Sequence, residues 1–139
     1  MGRYAQLPTE NALHFRVVEF IRKFYPDCLL TCGLGEMLDS KSKRHEGWKK
    51  GYTSGTSDIQ IHNSNVRYNG LQIELTRSMS WGVLSDNQSE LLRKFRLNNC
   101  LTLVSDDYDT VLMEIVRYMN ETRVHCPHCR QQFKTEASL

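Results

Sequence analysis

The segment SGTSDIQIHNSNVRYNGLQIELTRS, residues 54–78, constrains the fold more than any other part of the chain. Within it Leu71, Ile73 and Leu75 alternate with Gln72, Glu74 and Thr76, a period of two that fits a strand and not a helix. A shorter run, Asp58–His62, precedes it across a polar connection. Two such strands predict a sheet whose one face is apolar and packs on a helix through Ile73 and Leu75. Glu74 falls on the other face, and an ionised carboxylate within a sheet needs a partner or a metal. Asp58 opens the shorter strand directly after SGTS, where glycine lets the backbone approach a neighbour closely. If the two strands are antiparallel neighbours, Asp58 and Glu74 meet at one end of the sheet.

Helical periodicity flanks this segment. PTENALHFRVVEFIRKFYPD spaces Leu13, Val17, Phe20, Ile21 and Phe24 as an amphipathic helix, with Thr9 as N-cap and Pro26 as the stop. CLLTC is a short buried strand, and Gly33 to Gly55 reads as a long polar, glycine-rich connection, a length that within a compact domain usually serves function. The strand ending at Thr76 reaches back to Val66 with a break near Asn69–Gly70. SDNQSELLRKFRL starts a helix at Ser85, with Gln88 three residues on as in a capping box, and an apolar face of Leu91, Leu92 and Phe95. CLTLV is a strand, and DDYDTVLMEIVRYM a last helix on Val111, Leu112, Ile115, Val116 and Met119. The order of helix, three strands, helix, strand and helix predicts one α/β layer domain with a mixed sheet over residues 1–120, followed by a cysteine-containing tail, 121–139.

At 139 residues the chain has room for one ordinary core and not for two. No apolar run is long enough to span a membrane. The first fifteen residues lack the basic-then-apolar layout of a secretory signal, and Gln6 breaks the myristoylation pattern. The expectation is an intracellular, reducing compartment, with the five cysteines as thiols or metal ligands. Cys100, alone beside an apolar strand, reads as a small buried residue. A net charge of +2 says little about partners. Its distribution says more: KSKRHEGWKK sets Lys41, Lys43, Arg44, Lys49 and Lys50 against Glu46 alone. Such a segment can track phosphates, though a solvated loop has the same composition.

Two carboxylates converging at a strand end, with waters and a phosphate oxygen, suit Mg²⁺ or Mn²⁺. Such an ion activates water and stabilises charge on a scissile phosphate. The plain alternative has Asp58 capping a turn and Glu74 paired with a Lys or Arg. Glu10 is also two-sided: acids in a first helical turn are favoured by the dipole, yet Glu10 lies three before Leu13 and seven before Val17 and so shares their stripe.

The ordered set Gly47, Lys49, Lys50, Gly51, Gly55, Asp58, Glu74, Leu84, Ser85 and Gln88 resembles the VRR-NUC family of the PD-(D/E)xK nuclease superfamily. That pattern has glycine, a basic stretch, a second glycine, PD opening a strand, a strand with ExK, and an LSxxQ helix start. The resemblance runs over roughly residues 8–120, rests on order and spacing, and includes Glu10 near the start of the first helix. It implies a restriction-endonuclease-like core with a mixed central sheet of about four strands flanked by helices. It implies a metal site of Glu10, Asp58, Glu74 and Leu75, support from Gln88, and DNA phosphates held by the basic segment. Branched substrates such as four-way junctions, and a homodimer, follow by the same resemblance. Two positions depart from it. Ser57 replaces the proline of PD, a mild change at the start of the strand. Thr76 replaces the lysine of ExK, which in such enzymes orients the attacking water and offsets phosphate charge. Lys50, Lys94 and Arg77 are candidates for a relocated cation. Lys50 is favoured because it leads into Asp58, and Arg77 is disfavoured because strand alternation turns it away. A DNA-binding module that has lost its chemistry is the rival reading; a zinc-organised interaction domain is a third.

The tail supplies Cys126 and Cys129 as a CxxC with His125 and His128 beside them. A structural zinc site needs four ligands. Cys28 and Cys32, or the tail of a second subunit, could complete it. Thioredoxin-type redox chemistry is not expected, since this CxxC is not read as following a strand and opening a helix in a βαβ unit.

Overall fold

A computed structural model describes residues 9–33, 39–76, 84–121, 123–125 and 132–134. The elements in chain order are α1 (Glu10–Phe24), β1 (Leu30–Cys32), α2 (Lys41–Lys49), β2 (Ile59–Ile61), β3 (Leu71–Leu75), α3 (Asp86–Leu97), β4 (Leu101–Ser105), α4 (Tyr108–Asn120), β5 (Arg123–His125) and β6 (Gln132–Lys134). The first four strands form a mixed sheet in the order β1-β2-β3-β4. The first two pairings are antiparallel, and β3 pairs with β4 in parallel. Strands β5 and β6 form a separate antiparallel pair. No helix among the described residues is long and apolar enough to cross a membrane.

Strand alternation separates the two faces of the sheet. Ile59, Ile61, Leu71, Ile73 and Leu75 point to one side and bury against Leu13, Val17 and Ile21 of α1 and Val111, Ile115 and Tyr118 of α4. Helix α1 is held at its start as its sequence requires: the Thr9 hydroxyl accepts from the Ala12 N–H at 3.0 Å. Tyr118 is apolar ring and polar tip at once, donating its hydroxyl to the Asn63 carbonyl at 2.6 Å. The other face carries Gln72 and Glu74, both buried, and α3 covers it. Thr102, level with Gln72 across the parallel ladder, accepts from Arg96 of α3 at 3.1 Å. Leu92 is the buried apolar residue of α3. The domain is therefore three layers deep: α1 with α4, the sheet, then α3.

Four expectations change. The strand in CLLTC, read as buried, is a sheet edge with Thr31 and Cys32 exposed, because among the described residues β1 has a neighbour on one side only. The stretch read as a connection from Gly33 to Gly55 contains a helix, α2, with no apolar stripe to announce it. Its two ends are chemically marked. Ser40 accepts from the Lys43 N–H at 3.2 Å. At the other end Gly51 has φ +93°, with Gly51 N–H donating to the Trp48 carbonyl at 3.0 Å and Tyr52 N–H to the Gly47 carbonyl at 2.9 Å. That pair of bonds is a Schellman stop. Strand β3 begins only at Leu71, because the Asn65 side chain takes the N–H groups of Arg67 and Tyr68 at 2.9 and 2.7 Å and folds the preceding residues into a turn. The tail, read as aperiodic, contributes β5 and β6, each three residues long and too short for a period of two to register.

Candidate functional site

Each β2–β3 pair advances one residue on one strand and steps back one on the other: Ile61↔Leu71, Gln60↔Gln72, Ile59↔Ile73. The next pair in that register is Asp58 and Glu74, directly opposite and on the same face. Beyond Ile59 the β2 backbone no longer pairs with β3, and the side chain of Asp58 does so instead: its Oδ2 accepts from the Leu75 N–H at 2.8 Å. The two carboxylates are thus brought together by strand register, and one of them is aimed by the edge of the sheet it sits on.

Gln88 closes the site from above, from the first turn of α3. Its Oε1 accepts from the Ser85 N–H at 2.9 Å while its own backbone N–H donates to the Ser85 hydroxyl oxygen, a complete capping box. Its Nε2 donates to Glu74 Oε1. One amide therefore ends a helix and orients a carboxylate. Glu74 is 3 % exposed, and its second oxygen, Oε2, is buried with no hydrogen-bond partner. Burial pushes the Glu74 carboxyl up to about 8, and the charges of Asp58 and Glu10 push the same way. The Asp58 backbone and the Gln88 amide favour the charged form without offsetting the burial.

The loop that delivers Asp58 is clamped to α3. Gly55 has φ +82°, and a Cβ there would lie 2.6 Å from the backbone of Asn87 and 2.7 Å from the Gln88 nitrogen. Asn87 Nδ2 donates to the Ser54 hydroxyl at 3.0 Å. On the β1 side the Gly33 N–H donates to the Asp58 carbonyl at 3.2 Å. The glycine in SGTS pointed to a close approach. The partner of that approach, Asn87, carried no signal that a single sequence could reveal.

The remaining candidates are spread more widely. Glu10 opens α1 and acts on Glu74 through its charge. The Leu75 side chain belongs to the core, so only its backbone reaches the site. Thr76 is half-buried, with its N–H donated to the Ser105 carbonyl at 3.1 Å. Lys50 caps α2 and pairs with Glu46 at 2.9 Å in an exposed position. Lys43 pairs with Asp39 at 2.9 Å; Lys41, Arg44 and Lys49 are exposed on the same helix. Lys94 is exposed on α3. Arg77, Cys126 and Cys129 lie outside the described residues. Cys28 packs against the core and Cys32 is exposed.

Among the described residues no group of three or more His, Cys, Asp or Glu side chains closes on a common point that could hold a metal. The donor set still fits one kind of ion. It is all oxygen, it includes a buried carboxylate oxygen without a partner, and two carboxylates are opposed in register. Mg²⁺ and Mn²⁺ are held in this way, by one or two carboxylates with water and substrate phosphate completing the coordination.

No family model matches the chain, and no curated protein matches it. A solved structure described as a VRR_NUC domain protein matches with a TM-score of 0.64 at 17% identity, over 82% of this chain and 90% of that one. Apart from α2 and the β5–β6 pair, the order of strands and helices predicted from the sequence is the order found, and this chain has the fold of a VRR_NUC domain protein.

Proposed function

We propose that this chain is a divalent-metal-dependent nuclease that hydrolyses DNA phosphodiester bonds. The observation that carries the reading is the buried Glu74 carboxylate, opposed to Asp58, with one oxygen oriented by Gln88 and the other lacking a partner. A buried carboxylate so placed costs stability unless it binds something. Asp58, Glu74 and the Leu75 carbonyl would hold Mg²⁺ or Mn²⁺, with Glu10 adding negative charge nearby. When bound, the ion would supply charge stabilisation for the scissile phosphate and a more acidic water. The residues themselves do the positioning: the Leu75 N–H fixes Asp58, the Gln88 amide fixes Glu74, and Gly55 holds the two elements in contact. The finer part of the reading is a preference for branched DNA, with a homodimer presenting two such sites about a twofold axis.

The test is cleavage of four-way junction, flap and linear duplex DNA with Mg²⁺ or Mn²⁺, with EDTA as the control. Metal-dependent cleavage supports the reading, and no cleavage of any of the three rejects it. A second reading has its own observation. The charges acting on Glu74 come from Asp58 and Glu10, and Thr76 stands where a lysine would bring a positive one. A module that binds DNA without cutting it would keep junction affinity in EDTA and gain cleavage on Thr76→Lys.

A further inference from the structure

Helix α2 is the element the site does not use, and its side chains divide into two opposite stripes. At about 100° per residue, Asp39, Lys43, Glu46 and Lys50 line up on one side. There the charges alternate and close into pairs at 2.9 Å, Lys43 with Asp39 and Lys50 with Glu46. Lys41, Arg44, His45 and Trp48 fall at spacings of three, four and seven on the other side. Trp48 is 69 % exposed, and its ring lies nearly parallel to that of His45, at 17° with centroids 6.1 Å apart.

Burial among the described residues gives no reason for a tryptophan there. The buried residue of α2 is Gly47, and alanine would serve the helix better. A flat, exposed ring set among cations is instead the pattern of surfaces on which bases stack. An acidic protein surface would complement a basic face but would not need the ring. The face of a base is accessible only where the base is unpaired, and the flanking cations then meet the phosphates on either side. Seven residues, 51–57, separate Lys50 from Asp58, so the C-terminal end of the helix lies within about 30 Å of Asp58. We infer that the Lys41–Arg44–His45–Trp48 face of α2 is a stacking platform for an unpaired base of single-stranded or locally opened DNA. This deepens the nuclease reading and rests on it for the choice of substrate class.

The experiment measures binding of fluorescein-labelled oligothymidine, and of a blunt duplex of equal length, by anisotropy in EDTA, where no cleavage intervenes. Trp48→Ala is expected to weaken oligothymidine binding by about fivefold to a hundredfold, the range for one stacked base, and duplex binding by less than about twofold. Trp48→Phe should restore most of the loss. Lys41→Ala should lower the salt slope on oligothymidine by about 0.7. Equal loss on both ligands overturns the platform, as does failure of Trp48→Phe to rescue. Loss on neither, or no binding to DNA at all, also overturns it and leaves the face to an acidic protein partner. The two readings fail separately. Trp48-dependent binding without metal-dependent cleavage sinks the nuclease reading alone, whereas cleavage with unaltered binding by Trp48→Ala sinks the platform alone.

Discussion

Glu74 has an ordinary carboxyl value of 4.5 and is pushed up to about 8 in the fold, chiefly by burial. The sign follows from proton counting. Between 4.5 and 8 the native metal-free protein keeps a proton that the unfolded chain has released, so its stability falls as pH rises through that window. The loss is on the order of a few kcal/mol by about pH 8. Thermal melts of metal-free protein are therefore expected to show a higher Tm at about pH 5.5 than at about pH 8. Added Mn²⁺ should raise Tm most at the higher pH, with close to one proton released per ion bound near neutral pH, measurable by calorimetry in two buffers of different ionisation enthalpy. Glu74→Gln should melt higher than the parent at the higher pH without metal and show no Mn²⁺ effect. A parent protein whose melting is indifferent to both pH and metal would contradict this. Asp58→Ala and Glu74→Ala should each abolish metal-dependent cleavage, and the double variant should be no worse than either, because both act on one shared centre. Both carboxylates were legible in the sequence, since alternation alone put Glu74 on the face away from Ile73. The division of labour within the Gln88 amide was legible only through the family resemblance, because helix capping accounts for that residue completely until the strand beneath it is seen.

At the scale of elements, two glycines with left-handed backbones separate two kinds of cost. Gly51 has φ +93° and open space, with nothing within 4 Å of where a side-chain methyl would sit, whereas Gly55 has φ +82° and backbone atoms at 2.6 Å from that position. Gly51→Ala should cost about 1 kcal/mol, the ordinary strain of that conformation. Gly55→Ala should cost on the order of 2–3 kcal/mol in urea melts and also weaken metal binding, since Asp58 and Gln88 must move apart. Equal costs with unchanged metal affinity would mean that the loop and α3 are not rigidly clamped. Helices α1, α3 and α4 were readable because each buries an apolar stripe that repeats at helical spacing. Helix α2 was not, because its stability comes from Ser40, the Gly51 stop and two ion pairs rather than from burial. Its Ser and Gly were visible in the sequence, but a search led by hydrophobic periodicity passes over a helix that has none. Strand β3 was overextended for the converse reason: the side-chain bonds of Asn65 overrule the β propensity of Val66 and Tyr68.

For the molecule as a whole, one face of the sheet carries the apolar core and the other the candidate site, and mutations should sort accordingly. Ile115, fully buried on the α1–α4 side, should cost about 2–5 kcal/mol when cut to alanine, with metal affinity per folded molecule unchanged. A large drop in that affinity would show that the core and the site are coupled. The layer architecture was legible because it follows from element order, whereas the contact of Gly55 with Asn87 depends on a docking of loop on helix that no local pattern encodes. The parallel pairing of β3 with β4 has a kinetic consequence. Parallel neighbours cannot be joined by a tight turn, so the passage from β3 to β4 runs through α3, which lies across the sheet. That same passage lands Gln88 on Glu74. The proposed ion site would then be a late product of folding, assembled in the step that completes the sheet, and during refolding the gain of Mn²⁺ affinity should keep pace with the slowest phase rather than precede it.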